Sequence, residues 1–438
     1  MLARVILKVF FRRIEVEGRS SVPDSGPVLF VSNHTNAFVD PMLLVITLRR
    51  RVTLTAKNVL TSNPLLAVLM KGMGIISFHR RDDVGKGADV KQNTGSLAQC
   101  RAVLQQGGAL CIFPEGVSHS DPALRPFRTG AARIALDYLH LDGNPGRLQI
   151  VPVGLLYTEK DQFRSAVWLR YGEPLDIGAW LAEHAEADAQ SLTEELLRRV
   201  EAVTLNYETR RESAILSWGA EILATDGAAP APLGWRTRPV SAWFQLLARL
   251  QAGYRTLIET QPEHVATLTK RVRQYRSELK RLGIAPDEVY LPMHHGKALF
   301  FLFRELELLV IGAPFAAFGF VNHAAPYYLI KGIAKKLSKD KDHWATNVVF
   351  PSFAIFPLFC LLQVAAAWLW LPAVWATLYT VALPYTGYIA LLYGERLGAT
   401  LRRLGAFWYF WRNRQRQEDL ANEGRALIAA IRALSPTR

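Results

Sequence analysis

Cysteine is scarce in this chain of 438 residues, which contains only three. Cys100, Cys111 and Cys360 have none of the short spacings of a zinc site, and an odd, sparse set is a poor disulfide framework. The glycine-rich and P-loop patterns that bind nucleotide phosphates are also missing. These absences favour a reducing, cytosolic environment and give no indication of nucleotide phosphotransfer.

Charged residues are absent from one long stretch near the C-terminus. No Asp, Glu, Lys or Arg occurs between His343 and Gly394, a length that suits two membrane spans of about 20 residues each. We predict these spans near Val348 to Leu371 and Ala373 to Tyr393. Because both flanks are basic, the positive-inside rule puts both ends of this hairpin in the cytoplasm.

A third apolar stretch, Leu308 to Ile330, is interrupted by polar residues, glycines and prolines such as Pro314 and Pro326. A full crossing here would put the preceding part of the chain on the opposite side from Lys331 to Lys341. We therefore expect a re-entrant or interfacial segment, whose broken backbone is satisfied by protein or water.

Residues 1–18 are apolar but lack an uninterrupted hydrophobic centre, so they do not fit a secretory signal peptide. Apolar side chains recur there at helical spacing, opposite the cations Arg4, Lys8, Arg12 and Arg13. The apolar set is Leu2, Val5, Ile6, Val9 and Phe10. Two interpretations are open: a helix lying on a membrane surface, or an ordinary first helix docked on the protein.

The chain is basic, with a formal net charge of +14. Such a balance indicates an anionic partner, which can be a phosphate-bearing substrate, acidic lipid or nucleic acid. The basic residues flank the apolar membrane segments and do not form an aromatic and basic platform. We therefore expect membrane lipids, and not nucleic acid, among the partners.

Short apolar runs alternate with helical patterns from about residue 25 to residue 175. The predicted strands are Val28 to Val31, Val52 to Ala56, Ile75 to Phe78, Ala109 to Phe113, Ile150 to Tyr157 and Val167 to Tyr171. The predicted helices are Pro41 to Leu48, Pro64 to Met70, Asn93 to Gln106 and Gly130 to Leu139. This order predicts an α/β fold, a largely parallel sheet flanked by helices, with sites at the strand-to-helix loops.

Long amphipathic helices are predicted over residues 189–225 and 240–283, separated by a linker rich in proline, glycine and alanine. Apolar residues of the second helix recur at intervals of three or four. They are Val265, Leu268, Val272, Tyr275, Leu279 and Leu282. This stripe favours helix packing over a coiled coil, for which too few heptads are present.

The segment "NHTNAFVDP" places His34 and Asp40 between a strand and a helix. Imidazole can remove a proton from an alcohol near neutral pH, and a carboxylate on its other nitrogen fixes the tautomer. On a continuous helix six residues advance about 600°, which leaves the two side chains about 120° apart. The segment must therefore turn, or else Asp40 only caps the helix that begins at Pro41.

Two further segments carry polar groups at strand ends. Arg80 follows the strand in "GIISFHRRDD", where a guanidinium can bind phosphate bidentately. In "FPEGVSHSDPALRPFRTG", Glu115 can accept hydrogen bonds from substrate hydroxyls or from the loop backbone. Amides near Gly116 can meet an oxyanion, and the free N–H groups of the helix that opens at Gly130 favour an anion.

Taken in order, four blocks resemble the glycerolipid acyltransferase family, the PlsC-type lysophosphatidate and glycerol-3-phosphate acyltransferases. The blocks are "NHTNAFVD", "GIISFHR", "FPEGVSH" and "VPVGL", the last of which is by itself plain core strand. The usual motif has four residues between His and Asp, whereas Thr35 to Val39 makes five here. The longer spacer is similar to the fungal-type glycerol-3-phosphate or dihydroxyacetone-phosphate acyltransferases, as are "HVATLTKRVRQYRSELKRLGI" and the apolar C-terminal region.

The resemblance implies acyl transfer in phospholipid biosynthesis, from acyl-CoA or acyl-carrier protein as co-substrate, without a cofactor or metal. It makes His34 the general base and Asp40 its partner. It makes Arg80 the ligand of the acceptor phosphate, with Glu115 and Gly116 shaping the glycerol site. Ser118 and Arg128 are further substrate-binding candidates.

The acceptor can be glycerol 3-phosphate, dihydroxyacetone phosphate or lysophosphatidate, and the spacer favours the first two. An inactive membrane scaffold or lipid-transfer protein is the alternative of another class, which the intact His34 and Asp40 disfavour. A metal site at His294 and His295 is disfavoured, because no Asp, Glu or Cys follows at ligand spacing.

The sequence divides into five predicted parts of an integral membrane protein with its catalytic domain on the cytoplasmic face. They are an interfacial amphipathic helix (1–20), an acyltransferase α/β domain (21–225), a linker and helical arm (226–290), a membrane region with a hairpin (291–400) and a basic C-terminal helix (401–438).

Overall fold

A computed structural model describes residues 2–57, 74–78, 93–140, 147–226, 239–291, 295–338 and 341–434. The chain forms two compact units. The first unit contains Met1–Asn206 together with Lys336–Phe350, and the second contains Tyr207–Lys335 with Pro351–Arg438. The start of the C-terminal region thus belongs to the same unit as the N-terminal domain.

The first unit is built on a sheet of eight strands with the order β1-β7-β6-β2-β5-β3-β4, in which β8 also pairs with β6. The strands are β1 Arg13–Glu17, β2 Val28–Ser32, β3 Val52–Lys57, β4 Ile76–Phe78, β5 Ala109–Ile112, β6 Gln149–Tyr157, β7 Ala166–Tyr171 and β8 Leu175–Asp176. Strand β6 is antiparallel to β7 and β8, and every other pairing is parallel. The predicted, largely parallel α/β sheet is therefore confirmed.

Strand β2 lies in the middle of this sheet, hydrogen-bonded to β5 on one side and β6 on the other. All five residues of its "VLFVS" sequence are buried. A strand covered on both faces needs a continuous apolar run instead of alternation, which is why the sequence identifies it clearly.

Helices of the first unit cover the sheet. They are α1 Leu2–Phe10, α2 Val39–Thr47, α3 Asn93–Gln105, α4 Gly130–Leu139, α5 Ile177–Glu183 and α6 Ala189–Val203. The predicted helix Pro64 to Met70 lies outside the described residues. Side chains of α3, α4 and α6 form one core with β2, β5 and β6, centred on Leu104, Ile134, Tyr138, Leu196 and Leu110.

The sequence does not predict two of the strands, β1 and β8. Residues 13–17, predicted as part of the N-terminal helix over residues 1–20, form strand β1 instead. Ile14 and Val16 alternate there with charged residues, which is a strand pattern. Strand β1 pairs only with β7 at the edge of the sheet, so its polar side chains keep contact with water. Strand β8 has two residues and is too short for any periodicity to predict.

Helix α1 is docked at its C-terminal end and exposed at its N-terminal end. Leu7, Phe10 and the following Phe11 are at most 2% exposed, whereas Leu2 and Val5 are 46% and 50% exposed. Only the last turn of α1 is therefore docked on the protein. Leu2 and Val5, in the first turns, stay available to a membrane surface.

The second unit consists of long helices. They are α7 Arg210–Leu223, α8 Val240–Thr260, α9 Pro262–Leu282, α10 His295–Leu337, α11 Lys341–Trp370 (which begins in the first unit), α12 Ala373–Arg412 and α13 Arg414–Leu434. The long helix predicted over residues 240–283 is divided into α8 and α9 at Gln261. The single helix predicted over residues 189–225 is also wrong. It is divided into α6 and α7, because Thr209 starts a new helix by accepting the amide hydrogen of Glu212 at 3.0 Å.

The packing stripe predicted in α9 is confirmed for Val265, Val272, Tyr275 and Leu279, which are all buried. A small apolar cavity opens between this stripe and helices α7 and α8. Helical packing, and no coiled coil, accounts for the period of three and four.

Two described helices are long and apolar enough to cross a membrane: Leu309–Leu337 within α10 and His343–Trp370 within α11. The first half of the predicted hairpin therefore has the expected character, while its second half, in α12, does not reach the same hydropathy. The broken re-entrant backbone expected for Leu308 to Ile330 is wrong, because α10 is one continuous helix through Pro314 and Pro326. Two candidate spans indicate that the protein is membrane-associated.

Candidate active site

The carboxyl ends of three adjacent strands meet at one edge of the sheet. Strand β2 leads into His34, β5 into Glu115, and β6 ends at Tyr157. Asn33 extends the pairing of β2 with β6, because its side-chain amide exchanges two hydrogen bonds with the backbone of Leu155, at 2.8 and 3.0 Å. The segment after β2 therefore leaves the sheet in a fixed orientation, at the position where parallel sheets bind ligands.

His34 and Asp40 are in contact. The Nδ1–H group of His34 donates to Oδ2 of Asp40 at 2.9 Å. The ring of His34 stacks on Phe113 with 4.3 Å between ring centroids. Its side chain is 15% exposed, whereas the carboxylate of Asp40 is fully buried. Since Nδ1 is bound to Asp40, Nε2 is the nitrogen available to a substrate, and it has no partner among the described residues.

The carboxylate of Asp40 accepts four hydrogen bonds. Besides His34, the backbone amides of Thr35 and Asn36 donate to Oδ2 at 2.8 and 2.7 Å, and the hydroxyl of Tyr157 donates to Oδ1 at 2.5 Å. A buried carboxylate needs such donors to remain charged. These four donors fix the orientation of the Asp40 carboxylate beside the ring of His34.

The His–Asp turn, residues 34–40, explains how side chains six positions apart, which would not converge on a continuous helix, come into contact. Ala37 has a positive φ of 25°, and the amides of Val39 and Asp40 both donate to the carbonyl of Asn36. Left-handed backbone costs a residue other than glycine about 1–2 kcal/mol. The five-residue spacer is thus absorbed by a tight reversal that brings Asp40 back to His34.

The cap interpretation of Asp40 is wrong. Helix α2 begins at Val39, with Phe38 as a cap residue that makes no side-chain capping bond. Asp40 lies inside the first turn of the helix, and its oxygens accept amides that precede the helix. The amide of Phe38 instead donates to the hydroxyl of Thr346 at 3.1 Å.

Glu115 is bonded to the protein on both oxygens. Oε1 accepts the amide hydrogen of His34 at 2.7 Å, and Oε2 accepts that of Arg125 at 2.9 Å as well as Nε2–H of His119. The Glu115 side chain is fully buried. Of the two roles considered for it, the bond to the backbone is the one observed, and no oxygen of Glu115 faces solvent for a substrate hydroxyl.

His119 and Lys160 fasten the loop after β5 to the His–Asp turn. The amide of His119 donates to the carbonyl of His34 at 3.1 Å. Because Glu115 also bonds to both histidines, each of the three residues is hydrogen-bonded to the other two. The ammonium of Lys160 donates to the carbonyls of Thr35 and His119, at 2.7 and 2.9 Å. The two loops therefore form one rigid framework around the imidazole.

Gly116 needs to be glycine. Its φ is +76°, and a Cβ there would lie 2.9 Å from Nε of Arg128. Its amide donates to the carbonyl of Phe113 at 3.0 Å, so Gly116 itself is not a free oxyanion donor. The amides of Val117 and Ser118 have no acceptor among the described residues. Arg128 thus lies beside the Pro-Glu-Gly loop, and Ser118 lies within it.

The predicted site residue Arg80 and the two histidines of the disfavoured metal site have no side-chain description. Arg80 and His294 lie outside the described residues, as does the side chain of His295. Among the residues described, no group of three or more His, Cys, Asp or Glu side chains is placed to hold a metal ion.

Cys111, in β5, is placed beside the Asp40 region but is unsuited to attack a substrate. Burial raises the pKa of its thiol well above the ordinary value, and the negative charge of Asp40 raises it further. The thiol therefore stays protonated and buried, whereas a cysteine nucleophile must be a reachable thiolate.

Sequence reasoning missed three residues whose side chains bond to the site. Tyr157 was assigned to plain core at the end of the "VPVGLLY" strand, although a polar hydroxyl at a carboxyl strand end was a usable signal. His119 stands four residues after Glu115, but its burial could not be foreseen. Nothing in the sequence points to Thr346, which lies 308 positions from its partner.

Comparison with known proteins adds to this geometry. Residues 13–156 match the family model named Acyltransferase, which spans β1 to β6 and both loops of the site. The chain contains an acyltransferase-family domain. An uncharacterised acyltransferase of Schizosaccharomyces pombe is 24% identical over 255 residues, covering 40% of this chain and 38% of that protein.

Other relatives of the acyltransferase domain carry named activities. Glycerol-3-phosphate O-acyltransferase 1 of Saccharomyces cerevisiae is 23% identical over 435 residues, which covers 78% of this chain and 55% of that protein. The 1-acyl-sn-glycerophosphate acyltransferase PlsC of Thermotoga maritima is a structural neighbour at 17% identity, with a TM-score of 0.35, covering 46% of this chain and 75% of that one. The chain spans between 15% and 55% of the length of the first three curated relatives.

Proposed function

We propose that the protein transfers a fatty acyl group from a thioester, acyl-CoA or acyl-carrier protein, to a hydroxyl of a phosphate-bearing glycerol. The observation that carries this proposal is the 2.9 Å contact between Nδ1 of His34 and the buried carboxylate of Asp40. A neutral imidazole held in this way presents Nε2 to the cleft as a general base.

The reaction balances without an acyl-enzyme. Nε2 of His34 takes the proton of the acceptor hydroxyl while the oxygen attacks the thioester carbonyl carbon. The carbon–sulfur bond then breaks, and the departing thiolate recovers the proton from the imidazolium. Asp40 stabilises the charged imidazole between these steps, and the amides of Val117 and Ser118 are the candidate donors to the oxyanion.

For the acceptor we propose glycerol 3-phosphate or dihydroxyacetone phosphate, with lysophosphatidate as the alternative. The five-residue spacer and the long match to a glycerol-3-phosphate acyltransferase support the first two. Curated 1-acyl-sn-glycerol-3-phosphate acyltransferases are also similar over shorter stretches, for example that of Borreliella burgdorferi at 26% identity over 124 residues. Arg80 would bind the acceptor phosphate, and Arg128 is a further substrate-binding candidate.

We propose that the catalytic domain lies on the cytoplasmic face. Thr346, at the start of α11, is hydrogen-bonded to Phe38 of the His–Asp turn, so both lie on one side of the membrane. The described part of the chain between residues 38 and 346 offers α10 as a candidate span, and one complete crossing would separate the bonded residues. We therefore propose that α10 does not put these two bonded residues on opposite sides of the membrane, and the basic flanks support a cytoplasmic location of the shared side.

The test is an acyl-transfer assay on the full chain in detergent, with labelled acyl-CoA or acyl-carrier protein and each of the three acceptors. Wild type should acylate a phosphorylated glycerol, and His34→Ala should lower kcat by about 10²–10⁴-fold. Full activity of His34→Ala would remove the base from the mechanism. Transfer to lysophosphatidate alone would reverse the acceptor preference, and no transfer at all would favour the scaffold alternative.

Binding of the acceptor phosphate by Arg80 is tested by a separate kinetic measurement. Arg80→Ala should raise KM for the acceptor while KM for the thioester stays unchanged, because only the acceptor carries the phosphate that the guanidinium binds. An unchanged acceptor KM would remove Arg80 from the site.

A further inference from the structure

The first turns of α11 are packed into the unit that carries the site, although they follow it by some 300 positions in the sequence. Ala345 and Val349, one helical turn apart, are 0% and 1% exposed. Thr346 lies next to Ala345, and Phe350 next to Val349. This segment begins the candidate span His343–Trp370, and the proposed reaction assigns it no role.

Two contacts join this segment to the His–Asp turn. The amide of Phe38 donates to the hydroxyl of Thr346 at 3.1 Å. The ring of Phe38 meets that of Phe350 edge to face, with 5.7 Å between centroids. Phe38 precedes α2, and the amides at the start of a helix have no acceptor within it, so Thr346 supplies one from outside.

The bonded amide sits at the strained point of the turn. Ala37, the residue before Phe38, has the positive φ that brings Asp40 back to His34. Such a conformation persists only when its surroundings hold it. From the His34 side the turn is fixed by Asp40, Glu115 and Lys160, and beyond Ala37 the first described contact from another part of the chain is Thr346.

We propose that Thr346 is a positioning residue, and that the first turns of α11 complete the active site by holding the His–Asp turn in its reactive conformation. The inference rests on the proposed function. One helix then serves as a membrane span and as a support for the general base, which couples membrane attachment to catalysis.

The test compares Thr346→Val with Thr346→Ser in the acyl-transfer assay. Valine keeps the size and branching of threonine but offers no acceptor to the Phe38 amide. A small displacement of His34 from the attacking hydroxyl should lower kcat about tenfold or more, because catalysis is sensitive to misplacements near 1 Å. KM for both substrates should remain within about twofold, and Thr346→Ser should restore kcat, since the hydroxyl is retained.

A matched control is Thr377→Val in α12, where the hydroxyl donates only to the carbonyl of Ala373 within its own helix. Its kcat should equal that of wild type. Thermal midpoints of all variants, measured in the same detergent, separate positioning from unfolding: Thr346→Val should lose kcat at a midpoint close to that of wild type.

A double mutant tests whether Thr346→Val lowers kcat through the His34–Asp40 pair. If Thr346 acts through the His–Asp pair, Thr346→Val should cost much less in an Asp40→Asn background, where the pair is already disabled. An undiminished effect there would overturn the proposal, as would wild-type kcat in Thr346→Val. Loss of kcat in both Thr346 variants together with a lowered midpoint would also overturn it. Full activity of His34→Ala would instead reject the proposed function.

Discussion

The hydroxyl of Tyr157 donates a hydrogen bond of 2.5 Å to Oδ1 of Asp40, the oxygen that His34 leaves unoccupied. His34, the proposed general base, is therefore held by Asp40, and Asp40 is held in turn by Tyr157 at the end of β6. Because hydrogen bonds to a buried charge contribute about 1.5–3 kcal/mol, this contact should affect both activity and stability.

Tyr157→Phe should lower kcat about tenfold, since the carboxylate loses the donor that fixes its rotation, a free-energy loss within the range for charged hydrogen bonds. KM for both substrates should change little. The control is Tyr171→Phe, which removes another buried hydroxyl from the same sheet, bonded to Thr47 at 2.8 Å and away from Asp40. Equal kcat values for the two variants would contradict a specific role of Tyr157.

The raised pKa of Tyr157 leads to a prediction of how the free energy of unfolding depends on pH. Burial raises the pKa of Tyr157 well above its ordinary value, and the charge and hydrogen bond of Asp40 raise it further. The folded protein therefore keeps this proton at pH values where an unfolded tyrosine, with a pKa near 10, loses it. The resulting stability is complete below about pH 10 and is lost as pH rises above it.

Thermal midpoints of wild type and Tyr157→Phe, measured from pH 8 to pH 11, test this linkage. Wild type should lose stability above about pH 10 more steeply than the variant, by up to about 1.4 kcal/mol per pH unit for one proton. Parallel curves would show that Tyr157 titrates alike in the folded and unfolded chain.

Glu115→Gln distinguishes a positioning role from a substrate-binding one. Glu115 bonds His34, Arg125 and His119, so its substitution should lower kcat and thermal stability while leaving KM for the acceptor nearly unchanged. Glu212→Gln is the matched control, because Glu212 is a buried carboxylate of the second unit that accepts the amide hydrogen of Glu208 at 2.7 Å. It should affect stability without affecting kcat. A selective rise in acceptor KM for Glu115→Gln would favour direct contact with the substrate.

Cysteine labelling tests the membrane arrangement. In a Cys360→Ser background, cysteines introduced one at a time at the exposed positions Glu307, Lys336 and Arg402 should all react with an impermeant maleimide from the cytoplasmic side. Residues 307 and 336 flank the part of α10 proposed not to cross, and residues 336 and 402 flank the hairpin. Reaction of 307 and 336 from opposite sides would mean that α10 crosses, and opposite sides for 336 and 402 would exclude the hairpin.

The sequence predicts the strands well because they are buried on both faces: β2, β5 and β6 were placed to within one residue at each end. It also predicts the pairing of His34 with Asp40, since the two residues are close along the chain. It does not predict the roles of Tyr157 or Thr346, which lie 117 and 308 positions from their partners. Those contacts depend on strand order and helix docking, which local periodicity does not encode.

Helix starts were the other source of error. Sequence placed the first turn of α2 at Pro41, because Asp–Pro is a common capping pair. The helix begins two residues earlier, since Asp40 is drawn toward His34 and the amides of Thr35 and Asn36. These contacts of Asp40 have displaced the arrangement that local preference alone would favour.

The bond between Phe38 and Thr346 also bears on the order of events during synthesis. At about 5–20 residues per second, the ribosome delivers Thr346 roughly 15–60 s after Phe38. The sheet and its loops can fold during that interval, but the His–Asp turn lacks its last support until the start of α11 has emerged. On the proposed role of Thr346, a nascent domain does not reach full activity until the start of α11 has been made.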